Sequence, residues 1–138
     1  MQPSARGAGP GRAAGYLRDI PGYVARARVE TVVAVQLETV QAVENASDIL
    51  AVPGIDLAFI GPGDLGVDLA AQSGSRTLDD LVNDLIDAAA RAGVPAGIFT
   101  ADRAASTDWL RRLSFVIEGS DALLLTQASD TAFAALPD

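Results

Sequence analysis

The sequence contains no cysteine, no histidine and no lysine, and each absence removes a class of chemistry. Without cysteine there are no disulfides, thiolate metal sites or cysteine nucleophiles. Without histidine the chain cannot supply a Ser-His-Asp triad or a histidine base. Without lysine it cannot form a Schiff base. Any metal site must use oxygen ligands, which favours Mg²⁺ or Mn²⁺ over zinc. Carboxylates are therefore the main reactive groups that remain.

The charge balance is acidic, with 10 basic side chains against 18 acidic ones and a net charge of −8. Nucleic acids and anionic membranes bind clustered basic residues, so we expect neither as a partner. The sequence has no apolar run of membrane-spanning length, and its first residues lack the apolar core of a secretory signal. We therefore expect a cytoplasmic protein. Its 138 residues, 49% of them hydrophobic, suffice for a single domain with a real core.

The chain is organised around Thr31–Gly66. Two apolar, β-branched runs, Val32–Leu37 and Ile55–Ile60, predict strands. Apolar residues recur between them at helical spacing: Val40, Val43, Ala46, Ile49 and Leu50. This order predicts a βαβ unit with parallel strands. Each strand ends in a polar tip with a carboxylate, Glu38 in the first and Asp64 in the second. The two carboxylates should share the edge where parallel α/β folds place their chemistry.

The rest of the chain predicts a repeat of strands and helices. Residues 1–15 are rich in glycine, proline and alanine and predict an irregular loop. Two further strands are expected at Val94–Thr100 and Phe115–Ile117, and Thr77 should cap the helix before the first of them. The fold class is then α/β, with four parallel strands and their helices. A (β/α) TIM barrel needs about 250 residues, so this is about half of one, unless it is a small open sheet. An isolated half exposes edges and an inner face, which favours pairing with another copy or another half-barrel.

Short motifs occur in a fixed order along the chain. Gln36–Thr39 ends the first strand, Ala42 and Asn45 lie in the helix, Pro53–Asp56 leads into the second strand, and Gly61–Leu65 follows it. In this order the motifs resemble the HpcH/HpaI family of metal-dependent, class II pyruvate aldolases, typified by 4-hydroxy-2-oxo-heptanedioate aldolase. Further matches are Arg6-Gly7, Gly93–Gly97, Phe115-Val116 and Gly119–Asp121, so the resemblance runs from about Arg6 to Leu125. It covers the carboxy-terminal half of a TIM barrel.

The resemblance implies a divalent cation and a 2-oxo acid at the two strand tips. Glu38 and Asp64 correspond to the metal ligands, and the metal would be Mg²⁺, Mn²⁺ or Co²⁺. Gln36 matches a glutamine that contacts substrate. Gly63 occupies a position, more usually alanine, whose backbone N–H faces the pyruvate carboxylate; with Gln36 and Asp64 it completes the expected substrate-binding set. The implied reaction is cleavage of a 4-hydroxy-2-oxo acid to pyruvate and an aldehyde.

The resemblance also implies that the site is incomplete. The family's catalytic arginine and proton-transferring histidine belong to the half-barrel that has no counterpart here, so no catalytic residue is expected in this chain. It is then either a truncated form with little activity or one that pairs with another half-barrel. Two other functions stay open: a non-catalytic protein that binds a divalent metal and a 2-oxo acid or serves assembly, and a citrate-lyase-type enzyme acting on acyl-CoA. Asp121 is interpreted as a turn or cap residue, and Asp56 as structural.

Overall fold

The computed structural model describes residues 9–134, which divide into two compact units at Val33. The first unit holds a 3₁₀ helix, Arg12–Leu17, and α1, Ile20–Glu30. The strands of the second unit are β1 (Ala34–Leu37), β2 (Leu57–Ile60), β3 (Ala96–Thr100) and β4 (Phe115–Glu118). Its helices are α2 (Val40–Glu44), α3 (Ala46–Leu50), α4 (Pro62–Ala70), α5 (Leu78–Ala92), α6 (Arg103–Trp109) and α7 (Asp121–Ala134). None of the described helices is long and apolar enough to cross a membrane.

The stretch predicted as an irregular loop, residues 1–15, is described only in part. Residues 1–8, which include the Arg6-Gly7 match, lie outside the described residues. The end of that stretch forms the 3₁₀ helix, in which the Ala14 N–H donates to the Gly11 carbonyl at 3.1 Å. Such short turns need no hydrophobic periodicity, so the sequence pattern does not reveal them. Asp19 then starts α1 by accepting the Gly22 N–H at 2.9 Å.

The four strands of the second unit are parallel and lie in the order β1-β2-β3-β4. This confirms the predicted βαβ unit and the half-barrel fold class, because successive parallel strands beside one another are the repeat of a (β/α) barrel. Three strands start two residues later than predicted. Val33 and Asp56 immediately precede β1 and β2. There the Asp56 carboxylate accepts the Val33 N–H at 2.8 Å, in place of a backbone hydrogen bond between the strands. Asp56 is therefore structural, as expected.

One face of the sheet packs against α2–α5 and forms the core. Buried side chains from the strands alternate along the chain, as Leu37, Ala58, Ile60, Ala96 and Ile98. The helices contribute Val40, Val43, Ala46, Leu50, Leu65, Leu81, Val82, Leu85, Ala88 and Ala89. The predicted apolar face between the first two strands is confirmed, with Ile49 only partly buried, and so is the cap at Thr77, the start of α5. Thr77 and Asp80 form a reciprocal capping box there.

The other face of the sheet carries aromatic side chains. The rings of Phe59 and Phe115 stack with their centroids 5.8 Å apart. They stand on either side of Gly97, which pairs with both residues in the sheet. A Cβ at Gly97 would collide with the Phe115 ring, so a glycine is required there. Ile117, near the end of edge strand β4, is 47% exposed. In a closed barrel this face would be the interior.

Two helical segments differ from the expectation. The helix between the first two strands is interrupted at Asn45, whose φ of −95° and ψ of 7° separate α2 from α3. Pro62–Ala70, which directly follows β2, forms an additional helix of nine residues, α4. Proline is favourable at a helix start, but Gly63 and Gly66 weaken the sequence signal.

Candidate functional site

The site begins where β1 and β2 end side by side. In the parallel register Leu37 pairs with Ile60, so Glu38 and Gly61 are the first residues beyond the paired strands. The Gly61 N–H donates to the Leu37 carbonyl at 3.2 Å, which keeps the two tips together. The structure therefore brings the two predicted polar tips to one edge of the sheet, as expected for neighbouring parallel strands.

Glu38 is half-buried and held by its neighbours. Its Oε2 accepts a hydrogen bond from Gln36 Nε2 at 2.5 Å. The two residues are two apart along the chain and point to the same side, opposite the buried Leu37. The Gln36 amide has a second N–H, so this contact leaves one donor for a ligand.

Gly61 is a site residue that the sequence analysis did not single out. A Cβ at this position would lie 3.0 Å from Glu38 Oε2 and 3.3 Å from Gln36 Nε2. The absence of a side chain therefore makes the space that the Glu38 carboxylate uses. The sequence signal that could have found it is a glycine directly after a strand, at a point of close approach.

Asp64 lies in the first turn of α4 and is exposed. Gly61 is the N-cap of this helix, so Asp64 does not serve as its cap. The next residue, Leu65, is fully buried and anchors the turn in the core. Gly63 is exposed, and no atom lies within 4 Å of where its Cβ would be. An alanine, the residue more usual at this position, would fit.

A second unpredicted residue, Asp68, connects the two tips. Its Oδ2 accepts the backbone N–H of Val40 at 2.8 Å, across 28 residues of sequence. It also accepts from Gln72 Nε2 at 3.1 Å. Asp68 lies one turn along α4 from Asp64, and Val40 lies two residues after Glu38.

The tips of β3 and β4 are joined by an ion pair, between Arg103 Nη2 and Glu118 Oε1 at 3.0 Å. Asp121 begins α7, and its carboxylate accepts the Ala122 N–H at 2.8 Å. The interpretation of Asp121 as a turn or cap residue is confirmed. Asp121 does not form a three-carboxylate metal site with Glu38 and Asp64, since residues 9–134 contain no group of three or more acidic residues placed to hold a metal ion.

A sheet of parallel strands with helices on one face and polar residues at its carboxyl edge is typical of (β/α)-barrel enzymes. The family model for HpcH/HpaI aldolase/citrate lyase matches residues 11–129. This chain belongs to that family.

Curated relatives agree with this assignment. A hydroxypyruvate/pyruvate aldolase of Roseovarius nubinhibens is 37% identical over 131 residues, covering 90% of this chain and 50% of the relative. A 2-keto-3-deoxy-L-rhamnonate aldolase of Klebsiella pneumoniae is 37% identical over 131 residues, covering 93% of this chain and 49% of the relative. This chain therefore spans about half the length of these relatives.

Solved structures show the same partial coverage. An HpcH/HpaI aldolase/citrate lyase family protein from Burkholderia cenocepacia aligns with a TM-score of 0.77 and 30% identity, over 94% of this chain and 51% of that one. An HpcH/HpaI aldolase from Desulfitobacterium hafniense aligns with a TM-score of 0.71 and 30% identity, over 96% of this chain and 54% of that one. The described fold corresponds to about half of each.

Proposed function

We propose that this chain provides the metal- and substrate-binding half of a class II aldolase that cleaves 4-hydroxy-2-oxo acids to pyruvate and an aldehyde. The observation that carries the proposal is the shared edge of β1 and β2. There the half-buried Glu38 follows one strand and Asp64 lies in the first turn after the other. Family membership and the aldolase names of two curated relatives support the same reaction class.

The donor set of this edge fits a divalent cation. Glu38 and Asp64 would hold it, and Gly61 leaves room for the Glu38 carboxylate. Two carboxylates, with water and substrate filling the remaining positions, are the usual protein contribution to a Mg²⁺-type site, and Mn²⁺ or Co²⁺ could replace Mg²⁺. When bound, the cation supplies Lewis-acid polarisation of a keto oxygen and stabilises the negative charge that develops there.

The residues beside this pair suit a 2-oxo acid. Gly63 is at the start of α4, where the first backbone N–H groups have no partner within the helix. Such groups, together with the helix dipole, favour a bound carboxylate. The second N–H of the Gln36 amide can donate to another substrate oxygen. These contacts would orient the substrate, while Asp64 serves both the cation and the substrate.

Proton transfer needs groups from elsewhere. The chain has no histidine and no lysine, and the side chains named above are the binding set. Ile117 is exposed, and no strand among residues 9–134 pairs with the outer edges of β1 and β4. Both features support pairing with a second half-barrel, either another copy or a different chain. That partner would supply the missing acid–base groups.

The test measures Mn²⁺ binding by calorimetry in the purified chain and in Glu38→Gln and Asp64→Asn. We expect each variant to weaken Mn²⁺ binding by more than about tenfold, because each removes a charged ligand. Glu44→Gln is the matched control, since it neutralises an exposed carboxylate on α2 outside the site, and it should bind Mn²⁺ normally. Normal binding by either site variant would refute the assignment.

Activity is measured in parallel, as pyruvate released from oxaloacetate and from a 4-hydroxy-2-oxo acid. Turnover that requires Mn²⁺ and both carboxylates would mean that the chain acts without further catalytic groups. Mn²⁺ binding without turnover would place the remaining groups on a partner, or make the chain a non-catalytic binder. If extract fractions that contain a complementary half-barrel restore turnover, the remaining groups are on a partner. If they do not, the chain is a non-catalytic binder.

A further inference from the structure

Asp68 stands out because its carboxylate joins the two segments that carry the proposed metal ligands. It is on α4, four residues and therefore one turn after Asp64. Its hydrogen-bond partner, the Val40 N–H, belongs to the first turn of α2, two residues after Glu38. The contact is partly buried and measures 2.8 Å. Neither the sequence motifs nor the proposed function uses this residue.

The Val40 N–H has a specific need for this acceptor. It is among the first N–H groups of α2, which have no carbonyl partner within the helix. Thr39, the N-cap, satisfies a different group, because its Oγ1 accepts the Ala42 N–H at 3.1 Å. Since Val40 itself is buried, losing Asp68 would leave a poorly hydrated donor without a partner. The first turn of α2 would then have to shift or open.

Such a shift would reach Glu38 directly. Its backbone lies between the end of β1, fixed by the sheet, and the first turn of α2, held by Asp68. Asp64 is on the same helix as Asp68, so one carboxylate couples the backbones behind both ligands. Groups that orient metal ligands typically change metal affinity 10–100-fold when they are removed.

We infer that Asp68 is a positioning residue that fixes Glu38 relative to Asp64 through its hydrogen bond to the Val40 N–H. The inference rests on the proposed function, because it assumes that those two carboxylates bind a cation. Asp68 itself contacts neither the cation nor the substrate in this proposal.

The experiment measures Mn²⁺ affinity by calorimetry and the exchange rate of the Val40 amide by NMR in the full chain, in Asp68→Ala and in Asp68→Asn. Alanine removes the acceptor, so Mn²⁺ affinity should fall about tenfold and the metal-free Val40 amide should exchange faster. Asparagine keeps an oxygen acceptor while losing the charge, so both values should stay near those of the unchanged chain.

Asp80→Ala is the matched control, since Asp80 Oδ2 also accepts a backbone N–H at 2.8 Å, from Thr77 at the start of α5. It should lower the thermal midpoint in a way comparable with Asp68→Ala but leave Mn²⁺ affinity unchanged. Normal Mn²⁺ affinity or an unchanged Val40 exchange rate in Asp68→Ala would overturn this inference and leave the proposed function standing. So would an Asp68→Asn variant as weak as the alanine variant, because charge would then be the cause. If the unchanged chain bound no Mn²⁺, the proposed function would be refuted, and this inference would be refuted with it because it assumes a bound cation.

Discussion

Replacing Gly61 with alanine should disturb the proposed metal site while leaving the fold intact. The new methyl carbon would lie 3.0 Å from Glu38 Oε2 and 3.1 Å from Glu38 Cβ. Non-bonded carbon contacts are optimal at about 3.5–4.0 Å, so the Glu38 side chain must move by about half an ångström. The backbone adds no strain, because the Gly61 φ of −98° is accessible to alanine. The perturbation therefore falls on Glu38.

The size of the effect follows from this geometry. Overpacking usually costs about 1–3 kcal/mol, and the middle of that range applies here, because the carboxylate can rotate away but Glu38 Cβ moves only with its backbone. That rotation also takes the carboxylate out of its place beside Gln36, and a binding loss of about 1.4 kcal/mol is a tenfold change in affinity. We therefore expect Gly61→Ala to lose about 2 kcal/mol in urea unfolding and to bind Mn²⁺ roughly tenfold more weakly in calorimetry.

Gly63→Ala provides the control within the same turn. No atom lies within 4 Å of its added Cβ, and the residue is in the first turn of α4. Alanine favours the helix over glycine, so stability should stay the same or rise by up to about 1 kcal/mol, with Mn²⁺ affinity unchanged. The reasoning would be refuted if Gly61→Ala bound Mn²⁺ normally, or if Gly63→Ala were equally damaging.

Two further predictions concern acid stability and assembly. Hydrogen bonds from the Thr77 backbone and hydroxyl lower the pKa of Asp80, so its stabilising contribution is complete at neutral pH and is lost as the pH falls below about 4. The difference in urea midpoint between the unchanged chain and Asp80→Asn should close over that range, and a difference independent of pH would contradict this cause. In light scattering we expect a mass of at least twice the 14.2 kDa of one chain, because no strand in the described part of the chain pairs with the outer edges of the sheet. A monomer at micromolar concentration would argue against pairing with a second copy.

Much of the site could be predicted from the sequence because short-range sequence patterns determine the strands and helix starts that form it. Apolar β-branched runs predicted the first two strands, and helical spacing predicted the buried face between them. Parallel pairing then put the tips at Glu38 and Gly61–Asp64 on one edge. The helix cap at Thr77 could also be predicted from the sequence, since a capping box involves residues only three apart. Leu110 shows the limit of such patterns: the apolar spacing of Ala105, Trp109 and Leu110 predicts core contacts for α6, yet Leu110 is 55% exposed and Ser106, one turn earlier, is buried.

The sequence by itself thus determined the order of the four strands, the buried face between the first two of them and the family motifs at the two strand tips. Only the tertiary structure decided which groups support those tips. The Asp68 contact with Val40 spans 28 residues, and the crowding of Gly61 depends on a side chain from the neighbouring strand. The periodicity of a sequence reports which face of a helix or strand is buried, but it does not report the distance between two atoms on different elements. That distance is set by strand register and helix packing together.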